Sequence, residues 1–316
     1  MPPQPSRSHS SARANLSLAT AATLVVFAAW SILGPLGPQL QRDLRISDSQ
    51  LSLLIVLPIL LGAVLRVPLG ICADRFGPRR MLLGVLVFTP LPLVGLAIWH
   101  TSYIAMLGLS VALGVAGSAG SAGTTFLKNS YPRRRHGFAL GVYGFGVAGS
   151  AVTALTAPRL AAHFGLAAPF LVVAVLLTAV TLLFLRFTEE ETGREVGTDV
   201  DVTPVGEELA ALARRPKSWA AMLYYFVGFG GFVACMAYLP KMLVGTYGVP
   251  PATAGMFAAA FAALSVTARF TGGLASDRIG PRPVLLAAFT LIGACSAALA
   301  AGYANAAVMV IAMTGL

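Results

Sequence analysis

The chain has 316 residues, 57% of them hydrophobic and only 11% charged, with a mean hydropathy of +0.79. Soluble domains do not carry that ratio, so most of the chain is expected to lie in lipid. A net charge of +10 would suggest nucleic acid for a soluble protein, but here the distribution of the basic residues matters more than their sum.

A bilayer core about 30 Å thick needs roughly 20 apolar residues per spanning helix. Residues 1–15, rich in Ser and Pro, read as a disordered tail. Apolar runs follow at 16–34, 49–73, 81–99, 103–127, 137–158 and 167–187, forming an N-terminal six-helix bundle. The first run has the length of a signal peptide, but its long polar leader and the continuation Gly34-Pro35-Leu36-Gly37-Pro38 fit an uncleaved helix better. A polar stretch, 188–217, separates the halves as an interdomain loop. Further runs lie at 218–243, 252–276 and 284–303, and 306–316 starts another that is too short to cross. Residues 218–316 therefore read as an incomplete C-terminal bundle, with roughly a hundred residues expected beyond it. The three cysteines, Cys72, Cys235 and Cys295, lie in separate apolar segments without metal-like spacing and read as packing residues.

With the N-terminus in the cytoplasm, sixteen of the 22 Lys and Arg residues fall on cytoplasmic segments. They include Arg79, Arg80, Lys128, Arg133, Arg134, Arg135, Arg214 and Arg215. Outside fall only Arg42, Arg45, Arg159 and Lys241. The expected topology is thus a multi-pass protein of the plasma (inner) membrane with a cytoplasmic N-terminus and a cytoplasmic 188–217 loop.

An internal repeat divides the chain. Arg66, Gly70, Asp74, Arg75, Gly77, Pro78 and Arg79 recur without a gap, 203 residues later, as Arg269, Gly273, Asp277, Arg278, Gly280, Pro281 and Arg282. Gly70 and Gly273 would let another helix approach, and Gly77 and Gly280 would permit a tight turn. The charges can make contacts that one conformational state holds and another breaks, or they can simply set topology. The doubled G-x-x-x-D-R-x-G-x-R pattern resembles the signature loop of the major facilitator superfamily. That resemblance implies an all-α fold of two six-helix halves, a central cavity, and alternating access gated by these loops.

Arg66 and Arg269 each precede the motif's Asp by eight residues, roughly 12 Å along a helix, which puts both near the bilayer midplane. A charge there costs about 2.5–3.5 kcal/mol even on the lenient insertion scale. None of the twelve Asp and Glu residues falls in the middle of an expected span. Two cations without an internal carboxylate suit a small oxyanion held by guanidinium forks from both sides. The competing reading gives each arginine a backbone carbonyl of a neighbouring helix.

Within the superfamily, the opening helix with Phe27, Trp30 and Gly34-Pro35-Leu36-Gly37-Pro38 is similar to that of the nitrate/nitrite porters. The resemblance makes Arg66 and Arg269 the anion-binding pair and Tyr225 and Phe229 candidate substrate contacts, with aromatic packing as the alternative. Glycine-rich residues 137–149 resemble the family's nitrate signature and offer Gly144, Gly146 and Gly149 as close backbone approaches to substrate and to a neighbouring helix. The chain has Val147 where the family has Asn, and Gly120 where its fourth span usually has Phe. Nitrate or nitrite is thus the expected substrate, exchanged against an anion or coupled to protons. A larger organic anion is the nearest alternative, and a non-transporting product or sensor is a third. No cofactor, metal, nucleic-acid partner or enzymatic activity is expected, because no metal-ligand cluster, nucleophile elbow or phosphate loop is legible.

Overall fold

The computed structural model describes residues 9–188, 205–233, 243, 248 and 251–300. The chain divides into two compact units, Met1–Val200 and Asp201–Leu316, each described here by itself. All secondary structure among the described residues is helical.

In the first unit six helices are long and apolar enough to cross a membrane: Ala12–Leu44, Asp48–Phe76, Pro78–Ile98, Tyr103–Ser130, Arg133–Phe164 and Ala167–Phe187. All six correspond to runs expected from hydropathy, so the protein is a multi-pass membrane protein of all-α class. The first span outruns its expected end. Helix His9–Ser31 passes through Ile32, itself right-handed helical, into helix Leu33–Leu44. Pro35 falls in the first turn of that second helix, where a backbone N–H has no intrahelical partner to lose. Ser47 then starts the second span with a capping box: its hydroxyl accepts from the Gln50 amide at 3.3 Å, and the Gln50 side chain accepts from the Ser47 amide at 2.9 Å. The fifth span likewise continues through Pro158 to Phe164, since neighbouring helices relieve a proline in a membrane bundle.

Two close crossings organise this unit, and both are made of glycine. The second and fourth spans meet where a Cβ on Gly62 would lie 2.9 Å from both the Gly114 carbonyl oxygen and the Gly117 Cα. The first and fifth spans meet where a Cβ on Gly149 would collide with the Leu24 carbonyl oxygen and one on Gly146 with Thr23. Without side chains at these points the backbones gain dispersion contacts, the main attraction available to helices in lipid. Side-chain hydroxyls reinforce the packing: Thr153 donates to the Ala28 carbonyl and Thr181 to that of Leu86, each at 3.3 Å.

The second unit begins with helix Val205–Ala213, inside the stretch expected as interdomain loop, where Glu207 near the N-terminus suits the helix dipole. Helix Pro216–Tyr225 continues into a π-helical turn, Phe226–Gly230. Helices Pro251–Ile279 and Pro281–Ala300 correspond to the expected eighth and ninth spans. Residues 301–316, with the end of the ninth run and the whole of the tenth, lie outside the described residues.

The repeat is visible in the backbone. The second span ends at Phe76, Gly77 follows at φ 95°, and the next helix starts on Pro78. Its counterpart ends at Ile279, Gly280 follows at φ 89°, and the next helix starts on Pro281. The same 203-residue offset relates every one of these points. A positive φ at both turns is why both positions are glycine, and proline's fixed φ at the first helical position suits the restart.

Candidate functional site

The Arg66 side chain leaves the second span ten residues before its end at Phe76, roughly 15 Å along the axis and half-buried. Its Nε donates to the Gly117 carbonyl at 2.9 Å, and its guanidinium carbon sits 5.9 Å from the centroid of the Trp30 ring. Trp30 is fixed in turn by its indole N–H, which donates to the Pro58 carbonyl at 2.9 Å, and by an edge-on contact with Phe27. Gly117 belongs to a 310 stretch, Gly114–Ser118, within the fourth span. The backbone acceptor weighed as the alternative for Arg66 is therefore present.

Arg269 has the same relation to its own helix, ten residues before Ile279. Its guanidinium carbon lies 5.9 Å from the ring centroid of Phe229 and 5.4 Å from that of Phe232. Tyr225 stacks on Phe229 with centroids 5.2 Å apart, and Phe232 stacks on Phe261 at 5.6 Å. Tyr225, Phe229 and Phe232 thus form a rail along the seventh helix, and the π-helical turn Phe226–Gly230 re-aims it where it meets Arg269. Single π turns of this kind favour functional sites.

Each of the two arginines is accordingly flanked by an aromatic residue from the preceding helix of its own half. Moved by the repeat offset, Phe232 falls at position 29, one residue from Trp30. In lipid-depth surroundings a guanidinium beside an aromatic face gains about 0.5–2 kcal/mol, and a charge-assisted hydrogen bond about 1.5–3. For Arg66 these two contacts together offset most of its insertion cost of about 2.5–3.5 kcal/mol. The buried polar side chains among the described residues are Asn, Thr and Ser, with no carboxylate among them.

The glycine signature divides. Gly146 and Gly149 pack against Thr23, Leu24 and Ala28 of the first span, the neighbouring-helix half of the expectation. Gly144 closes helix His136–Gly144 at the start of a 310 segment. At Gly120, one turn beyond Gly117, an added Cβ would meet nothing within 4 Å, so the missing ring leaves space.

In the motif, a Cβ added at Gly70 would lie 3.9 Å from the Cβ of Ser121 on the fourth span, and Asp74 is exposed. Arg79 grips the end of the sixth span: its Nε donates to the Thr188 hydroxyl and a terminal nitrogen to the Leu185 carbonyl, both at 3.0 Å. Gly273, Asp277 and Arg278 fall on the last turns of their helix, and Arg282 on the first turn of the next.

Sequence reasoning singled out neither Gly117 nor Phe232, and it named Trp30 only as part of the resembling opening helix. Phe232 was accessible, three residues from Phe229 and hence on one helix face. Gly117 carried no signal, since its role is a backbone carbonyl.

A family model described as Major Facilitator Superfamily matches residues 19–316. The chain is 39% identical over 276 residues to the probable nitrate/nitrite transporter NarK2 of Mycobacterium tuberculosis, which covers 87% of this chain and 69% of that protein. It is 33% identical over 274 residues to the nitrite extrusion protein of Bacillus subtilis, covering 87% of this chain and 68% of that one. Among solved structures, the proton:xylose symporter XylE superposes with a TM-score of 0.76 over 98% of this chain and 79% of its own, at 15% identity. At that identity the likeness is one of fold.

Proposed function

Since the chain belongs to the major facilitator superfamily, we propose that it carries a small inorganic anion, nitrate or nitrite, across the membrane by alternating access. Arg66 and Arg269 are the cationic grips, one from each half. The observation that carries this reading is the doubled arrangement: an arginine at the same helical position in both repeats, each set against aromatic faces. Relatives named for nitrate and nitrite transport at 39% and 33% identity support the same substrate class.

The aromatic and carbonyl contacts hold Arg66 in place at little net cost, so the anion's binding energy is not consumed in folding the side chain. A planar oxyanion matches a guanidinium fork, and each half supplies one. The paired D-R-x-G turns, with Asp74 and Asp277 as their acids, gate the cytoplasmic side, and the N-terminus lies in the cytoplasm. With neutral residues filling the buried polar positions among the described residues, exchange against another anion, or coupling through the substrate's own charge, fits better than a carboxylate proton relay.

The space at Gly120 favours one second reading, a larger organic anion in the same site. Reconstituting the full chain in liposomes and measuring uptake of nitrate, nitrite and an aromatic carboxylate separates the two. Saturable uptake of nitrate or nitrite, with no uptake of the carboxylate itself, is expected. Carboxylate uptake with no flux of either inorganic anion would overturn the first reading in favour of the second.

A further inference from the structure

We propose that Tyr143 is a positioning residue for Arg66, holding the fourth-span backbone that fixes the guanidinium; this rests on the anion-site reading above. Tyr143 lies on the fifth span with 5% of its surface exposed. Its hydroxyl donates to the Ala119 carbonyl at 3.5 Å. The ring tip fills a notch that exists because residue 123 is glycine: a Cβ there would collide with the hydroxyl, and its Cε2 would lie 3.1 Å away.

The location of that bond gives it its meaning. The 310 stretch Gly114–Ser118 passes into the α-helix Ala119–Ser130 at Ser118. A backbone carbonyl has two lone pairs, so one beside such a junction can accept a donor from another span. The Gly117 carbonyl accepts from Arg66 and the Ala119 carbonyl accepts from Tyr143, one on each side of the junction. Arg66 and Tyr143, from two different spans, thereby fix the same short piece of backbone. If the Tyr143 hydroxyl is lost, the junction relaxes and the Arg66 acceptor moves with it. Phenylalanine would fill the notch equally well, so the hydroxyl is separable from the packing.

The test uses the full chain with Trp99→Phe and Trp219→Phe, so that Trp30 is the remaining tryptophan and its emission reports the Arg66 surroundings. Into this background go Tyr143→Phe, Arg66→Lys and the pair together. Tyr143→Phe is expected to shift Trp30 emission in the absence of anion. It should also raise the half-saturating nitrate or nitrite concentration about three- to tenfold, the range of one lost hydrogen bond, with the maximal rate within about twofold. Added to Arg66→Lys it should change little, because both act on one junction. Parental emission and half-saturation in Tyr143→Phe would overturn the proposal. So would a lower thermal midpoint with both unchanged, the mark of packing alone. If the parent moves neither anion, the substrate reading fails by itself, and Trp30 emission still decides the role of Tyr143: a shift supports it and no shift overturns it.

Discussion

Arg66 Nε and the Gly117 carbonyl, 2.9 Å apart, tie the cation of the second span to the backbone of the fourth, and glycine at positions 62, 114 and 117 is what lets the two spans come that close. A cation held this way is set by backbone geometry, so changes in packing should reach it.

Gly62→Ala should therefore destabilise the protein by about 1–3 kcal/mol, as over-packing does. At Gly84, where an added Cβ meets nothing within 4 Å, the same change should be neutral or mildly stabilising. Thermal unfolding in detergent checks both, and equal midpoints for the two variants would contradict the crossing.

Arg79 acts as a C-terminal clamp on the sixth span through Leu185 and Thr188. Arg79→Gln should free those acceptors, so amides 184–188 should exchange with deuterium about tenfold faster, corresponding to about 1.4 kcal/mol of local opening. Arg133→Gln, an exposed residue at the start of the fifth span, should leave that exchange unchanged.

The rail beside Arg269 predicts that Phe232→Leu, which keeps bulk and removes the ring, raises half-saturating nitrate about two- to tenfold. Uptake kinetics at a range of nitrate concentrations would show it as a change in KM with kcat nearly constant.

Filling the space at Gly120 should narrow selectivity. Gly120→Phe is expected to preserve nitrite uptake while weakening competition by an aromatic carboxylate at least fivefold, on the order of 1 kcal/mol. Undiminished competition would place the carboxylate elsewhere.

Much of the architecture was legible because lipid imposes simple rules. Apolar runs of spanning length gave the six helices of the first unit, and the 203-residue repeat foretold the matched turns at Gly77 and Gly280, since a positive φ leaves a glycine signature. Two helix ends were misread for a physical reason. Pro35 and Pro158 look like stops, yet the helix absorbs one in a first turn and the bundle absorbs the other. The surroundings of Arg66 were less legible: Trp30, Pro58 and Gly117 meet through crossings of distant spans, and two of the three contribute only a carbonyl. Gly146 and Gly149 announced a close approach but not its partner, which is the backbone of the first span.

The central claim is that two arginines, one per half, bind the transported anion. Nitrate and nitrite flux into proteoliposomes containing the full chain, Arg66→Ala or Arg269→Ala tests it most directly, with insertion verified for each. The account predicts saturable flux in the parent and loss of at least a hundredfold in both variants, about 2.8 kcal/mol each. Parental flux in either variant would contradict it.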